Sequence, residues 1–125
     1  MFYRRMLKSK IHRARVTHAD LNYEGSITVA PQLLQAANIL PYEAVQVWNV
    51  TAGTRFETYA IEGRQNSSAI CVNGAAAHLV TPGDIIIIAS FIQLAEENCQ
   101  NYKPTVVFVT EQNQFLETRL EVPAL

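Results

Sequence analysis

Residues 44–61 restrict the possible folds more than any other stretch. Ala44-Val-Gln-Val-Trp-Asn-Val-Thr51 alternates in the manner of a strand with two unlike faces. Thr51-Ala-Gly-Thr54 reads as a tight turn, and Arg55-Phe-Glu-Thr-Tyr-Ala-Ile61 returns as the other arm of a hairpin. On that arm Arg55, Glu57 and Tyr59 share one face, with Phe56, Thr58 and Ala60 on the other.

Similar short stretches fill the rest of the chain. Residues 7–16 suit an amphipathic strand that puts Lys10 and His12 on one face. Residues 17–20 break it, and residues 21–23 lead to a turn at Gly25-Ser26. Residues 26–30 are β-branched and short, a second strand. Residues 31–38 form the one clear helix, with Pro31 in its first turn and Asn38 near its end. A strand over 68–73 ends in Asn73-Gly-Ala-Ala-Ala-His78. The turn Thr81-Pro-Gly-Asp84 introduces the most buried strand, 84–91. Residues 92–102 read as a short helix or irregular turn, 105–110 and 115–122 as late strands, and the tail around Pro123 as frayed. Trp48 and the isoleucines at 85–88 are expected in the core. Short strands at close spacing with one or two small helices imply a closed β-barrel.

Composition excludes several classes. At 125 residues the chain is one domain, able to bury about two-thirds of its unfolded surface. A net charge of −1 supplies no basic field for nucleic acid. No apolar run approaches the ~18 residues of a membrane span, and no apolar segment follows the basic N-terminal residues as in a signal peptide. The cytosol is the expected compartment. Cys71 and Cys99, 28 positions apart, are expected as small buried apolar side chains. His12, His18 and His78 lack metal-ligand spacing, and neither a Gly-x-Gly-x-x-Gly nor a Walker-type loop occurs.

Tyr23-Glu24-Gly25-Ser26 admits two readings. Gly-Ser between apolar stretches is an ordinary turn. Alternatively the Gly25-Ser26 peptide bond is cleavable. The serine hydroxyl is placed to attack the carbonyl ahead of it, and glycine lets that carbonyl be strained into reach. The first reading leaves a non-catalytic β-barrel that binds a small molecule or another protein; the second makes an enzyme.

Three motifs bear on the choice: His18-Ala-Asp-Leu-Asn-Tyr-Glu-Gly-Ser26, Trp48-Asn-Val with Arg55-Phe-Glu-Thr-Tyr59, and Val72-Asn-Gly-Ala-Ala-Ala-His78. Together with Lys10-Ile-His12 and Gly83-Asp-Ile-Ile-Ile-Ile-Ala-Ser90 they resemble the aspartate 1-decarboxylase family, pyruvoyl-dependent enzymes of pantothenate synthesis. The resemblance runs from about residue 5 to about residue 120 with no departure at the motif positions. It implies a mainly β protein, a six-stranded double-psi β-barrel with one or two short helices. It also implies a homotetramer with active sites between neighbouring subunits.

The resemblance further implies self-cleavage into residues 1–25 (a β chain) and 26–125 (an α chain), four of each per tetramer. Ser26 Oγ would attack the Gly25 carbonyl in an N→O acyl shift. Loss of the Ser26 α-proton would then expel the Gly25 carboxylate, and hydrolysis would release ammonia and leave a pyruvoyl group. Thr58 and Asn73 occupy the family's positions for holding and polarising the scissile carbonyl. The pyruvoyl carbonyl would form a Schiff base with L-aspartate and draw off the electrons released with the carboxylate, with no metal and no pyridoxal phosphate. Tyr59 would return the proton, giving β-alanine. Arg55 carries a fixed fork for the retained carboxylate. Lys10 is either a second positive charge or a surface lysine. Gly74, Ala75 and Ala76 would leave room for backbone N–H groups to reach substrate. Tyr23 and His12 would line the pocket, unless His12 is a structural histidine.

Overall fold

The computed structural model describes residues 1–125. Nine strands, β1 (Tyr3–Arg15), β2 (His18–Asp20), β3 (Ser26–Val29), β4 (Ala44–Asn49), β5 (Arg55–Glu62), β6 (Cys71–Asn73), β7 (Ile85–Ala95), β8 (Thr105–Val109) and β9 (Phe115–Arg119), form one sheet. Two short α-helices, α1 (Pro31–Ala36) and α2 (Glu96–Cys99), and a 3-10 helix over Gly74–Leu79 complete it. The spatial order is β2-β6-β3-β5-β4-β7-β1-β8-β9. Ile11 and Ala14 of β1, Ile27 and Val29 of β3, Val47 of β4, Ile88 of β7 and Val107 of β8 join Leu33 and Leu34 of α1 in one 18-residue core. Strands far apart in the order share that core, so the sheet wraps around it as in a twisted barrel. No helix is long and apolar enough to cross a membrane.

The mainly β class expected from the strand spacing is what the chain adopts. Nine strands are present where six were expected. The count of six comes from the family resemblance; the residue pattern itself marks strands at the places of β6 and β9, and only β2, three residues long, is too short for alternation to reveal it. The supposed break at 17–20 is therefore largely strand, paired in parallel with β6. Strand β7 runs on to Ala95, because Phe91 to Ala95 pair with the first residues of β1, and only Glu96–Cys99 is helical.

Trp48 is not a core residue. It stands on the outer face of β4, where Phe91 (6.4 Å between ring centres) and Arg55 (5.2 Å above the ring) half cover it. Its neighbours Val47 and Asn49 point inward. By the same alternation Ile86 and Ile88 are buried while Ile85 and Ile87 are half-buried on the opposite face. Cys99 is buried as expected; Cys71 is only half-buried and makes a hydrogen bond.

Strand β1 is the longest and the most tightly held. It pairs antiparallel with β7 and parallel with β8, with register shifts after Leu7 and after Ile11. Arg13 lies in the second shift at φ 61°, a left-handed residue in a bulge that bends the strand.

A polar cluster ties β1 to the loop before β4. Lys8 Nζ lies 2.6 Å from Glu43 Oε2, Ser90 Oγ donates to the same oxygen at 2.8 Å, and the Leu40 N–H donates to Oε1 at 3.1 Å. Partial burial alone would raise the Glu43 pKa, but these donors outweigh it and hold the carboxyl below its ordinary value of 4.5. A depressed carboxyl pKa adds stability above the unfolded-state value, lost as pH falls through the folded-state value. Glu43→Gln is therefore expected to lower unfolding free energy by about 1–3 kcal/mol at pH 7. The difference from wild type should shrink below pH 4.5. Urea titrations of both proteins between pH 7 and pH 3 check this.

Candidate active site

Ser26 opens β3 and is almost fully buried, at 1% exposure. Antiparallel pairing of β3 with β6 sets it opposite Asn73, itself 3% exposed. The Asn73 side-chain N–H₂ donates to Ser26 Oγ at 2.9 Å and to Thr28 Oγ1 at 3.2 Å, and Cys71 Sγ donates to Asn73 Oδ1 at 3.0 Å. An amide donor on this buried oxygen is a partner for negative charge in any step where the oxygen departs from its carbon.

Just upstream, the chain leaves β2 through a turn in which the Asn22 N–H bonds Asp20 Oδ1 at 3.0 Å. The turn delivers an exposed Tyr23-Glu24-Gly25 segment. A Cβ on Gly25 would meet nothing within 4 Å. Gly74 is the opposite case. A Cβ there would lie 2.8 Å from Gly25 Cα and 3.2 Å from the Tyr23 oxygen, and its φ is +74°. Both facts demand glycine. The room that Gly74 leaves is filled by the 23–25 segment. Gly74→Ala is expected to cost about 1–3 kcal/mol and to push Gly25 away from β6. A shift in the urea midpoint checks the first effect.

Parallel pairing of β3 with β5 brings Tyr59 beside the start of β3. Tyr23, Gly25, Ser26, Tyr42, Tyr59 and Glu62 line a single open cleft of about 430 Å³. Tyr42, at φ 72°, turns its ring toward Tyr59 with 6.5 Å between ring centres. Its N–H bonds the Ala60 oxygen at 2.6 Å, fixing the turn against β5.

The other candidates lie elsewhere in the chain. Thr58 is half-buried opposite Val45, makes no side-chain hydrogen bond and does not line the cleft. Arg55 is exposed at the far end of β5 over the Trp48 ring. Ala75 is exposed on the 3-10 helix, and Ala76 packs on the core. Lys10 and His12 line a separate pocket of about 410 Å³ that shares no residue with the Ser26 cleft. There Lys10 is ion-paired with Glu121 of the tail, and His12 meets Phe108 edge-on at 5.4 Å. Burial first, and then the charges of Lys10 and Arg13, lower the His12 pKa and keep its ring uncharged at neutral pH. Its Nδ1 is buried without a partner.

One chain thus brings together Tyr23, Gly25, Ser26, Tyr59, Asn73 and Gly74, and leaves its cations outside the cleft. Two residues the sequence reading missed belong to this group. Tyr42 sits in the 41–43 turn, where nothing in the residue order marks its positive φ. Cys71 stands two positions before Asn73 on one strand, and that spacing alone puts the two on the same face.

The family model described as aspartate decarboxylase matches residues 2–116. Aspartate 1-decarboxylase of Legionella pneumophila strain Lens is 71% identical over 121 residues, 97% of this chain and 91% of that protein. The protein of the same name from Rhodopirellula baltica is 56% identical over 120 residues, 96% of this chain and 77% of that one. The one from Myxococcus xanthus is 58% identical over 109 residues, 87% and 84% of the two chains.

Proposed function

The chain belongs to the aspartate decarboxylase family, and from that premise we propose that it cuts itself at Gly25-Ser26 and then converts L-aspartate to β-alanine and CO2. The observation that carries the proposal is the buried Ser26 hydroxyl, held by Asn73 at the head of a cleft it shares with Tyr59.

The residues present fit a pyruvoyl group made from the chain itself. Ser26 Oγ adds to the Gly25 carbonyl carbon, and the Gly25-Ser26 C–N bond gives way to an ester. The Asn73 N–H₂ on Oγ acts in the next step, where that oxygen departs as part of a carboxylate and gains negative charge. Gly25, with no side chain and open space where a Cβ would stand, can take the distorted conformation that brings its carbonyl into reach. Loss of the Ser26 α-proton breaks the Cβ–Oγ bond and frees the Gly25 carboxylate. Water then removes the nitrogen as ammonia, and the 26–125 piece carries the new ketone at its head. Once formed, that ketone supplies the electron sink that natural side chains lack.

The chain's own residues bind the substrate and move the proton. Tyr59 lines the cleft, and its phenol O–H is the group that would protonate the former α-carbon. Cations for the substrate's carboxylates must come from elsewhere, since Arg55 and Lys10 lie outside the cleft. A homotetramer in which a neighbouring copy presents these groups answers that need: Arg55 offers two parallel donors to a carboxylate, and Lys10 a point charge.

Intact mass and a denaturing gel on aged protein test the proposal. Pieces of 25 and 100 residues are expected, with β-alanine formed from aspartate and little product from glutamate. Borohydride added with aspartate should attach the substrate to the 100-residue piece. A chain that stays whole and inert would leave only a β-barrel binding module.

A further inference from the structure

We propose that Cys71 is a positioning residue for self-cleavage: its thiol selects the one orientation of the Asn73 carboxamide that can support negative charge on Ser26 Oγ. The inference rests on the cleavage reading above.

The Asn73 side chain has two faces and can turn either way. Its amide contacts on one side are Ser26 Oγ at 2.9 Å and Thr28 Oγ1 at 3.2 Å, and on the other Cys71 Sγ at 3.0 Å. Hydroxyl groups donate and accept equally well, so Ser26 and Thr28 would tolerate either the N–H₂ or the oxygen facing them. A thiol is less even-handed. It can donate its S–H to the carboxamide oxygen, but its sulfur is a weak acceptor for an N–H. Cys71 therefore draws Oδ1 toward itself and leaves Nδ2 facing the hydroxyls.

The turned-over state would be worse for chemistry. Asn73 Oδ1 would then accept the Ser26 proton and set a negative dipole against the oxygen that must become electron-rich. Asn73 could no longer donate to that oxygen in the elimination, when the Cβ–Oγ bond breaks and Oγ leaves as part of the Gly25 carboxylate. The thiol is suited to the task because it stays protonated: burial, and then the nearby Asp20 carboxylate, raise its pKa above the ordinary 9.0. Strand geometry supplies the rest. Cys71 and Asn73 lie on one side of β6, and the ladder holds Thr28 opposite Cys71 and Ser26 opposite Asn73.

The test compares self-cleavage of freshly purified wild type, Cys71→Val, Cys71→Ala and Cys71→Ser, followed by loss of full-length mass at fixed temperature. Valine nearly keeps the volume and alanine relieves any crowding, and neither has a donor; serine restores one. Unfolding midpoints establish that each variant is folded. The expected result is cleavage slowed about tenfold in both donor-less variants, the size of a lost hydrogen bond of about 1.4 kcal/mol, and held within about threefold of wild type in Cys71→Ser. Cleavage of folded Cys71→Val and Cys71→Ala at the wild-type rate overturns the inference while leaving the cleavage reading intact. Equal slowing in all three variants overturns it too, because packing rather than donation would then be at work. Wild-type protein that never cleaves overturns both.

Discussion

Ser26→Ala is expected to give a single full-length chain with aspartate turnover at background. The alanine lacks the oxygen that must displace the Gly25-Ser26 nitrogen, and residue 26 carries no other hydroxyl to close the five-membered ring onto that carbonyl. The fold should survive. Only one buried oxygen is lost, and Asn73 Nδ2 keeps Thr28 Oγ1 at 3.2 Å as an acceptor, so the cost in stability is about 1 kcal/mol. Intact mass after prolonged incubation, a urea melt and a β-alanine assay read the three consequences separately. β-Alanine formed at the wild-type rate by an uncut Ser26→Ala chain would refute the mechanism outright.

Tyr59→Phe should separate the two reactions that share the cleft. Ser26 Oγ is held by Asn73 and not by the phenol, so cleavage is expected at close to the wild-type rate. Turnover should fall by about 10²- to 10⁴-fold, the usual cost of removing a positioned proton donor. Stability should change by less than about 0.5 kcal/mol, because Tyr59 is 37% exposed and its hydroxyl has no partner to lose. A cut variant that still turns over aspartate at the wild-type rate would mean that another group returns the proton.

What the residue order revealed depended on how local the cause was. The β4–β5 hairpin was legible because its alternation and its turn lie within 18 consecutive residues, and α1 because Pro31 marks its start. The Ser26–Asn73 contact was not legible from periodicity, since it joins residues 47 apart through a strand three residues long. Only the motif resemblance pointed to it. Trp48 was misplaced because a large aromatic side chain suggests a core position, whereas the pleat of β4 turns it outward beneath Arg55. The same face-by-face logic splits the isoleucines of β7, which look uniform in the sequence. For the site, residues of the 23–26 segment and β6 were foreseen together, but Lys10 and His12 fall in a different pocket of the single chain. No strand pattern reports how several copies meet.

Strand β1 sits between β7 and β8, in the middle of the sheet, and it lies wholly on the N-terminal side of Gly25-Ser26. Maturation would therefore turn a central stave of the barrel into a separate peptide, retained only by non-covalent contacts, among them ladder bonds, core packing and the ion pairs of Lys8 and Lys10. Denaturing the mature protein would release that peptide into solution. Its recovery would then be second order, slowing on dilution and quickening with added 1–25 peptide, whereas the uncut Ser26→Ala chain would regain its fold at a rate independent of concentration.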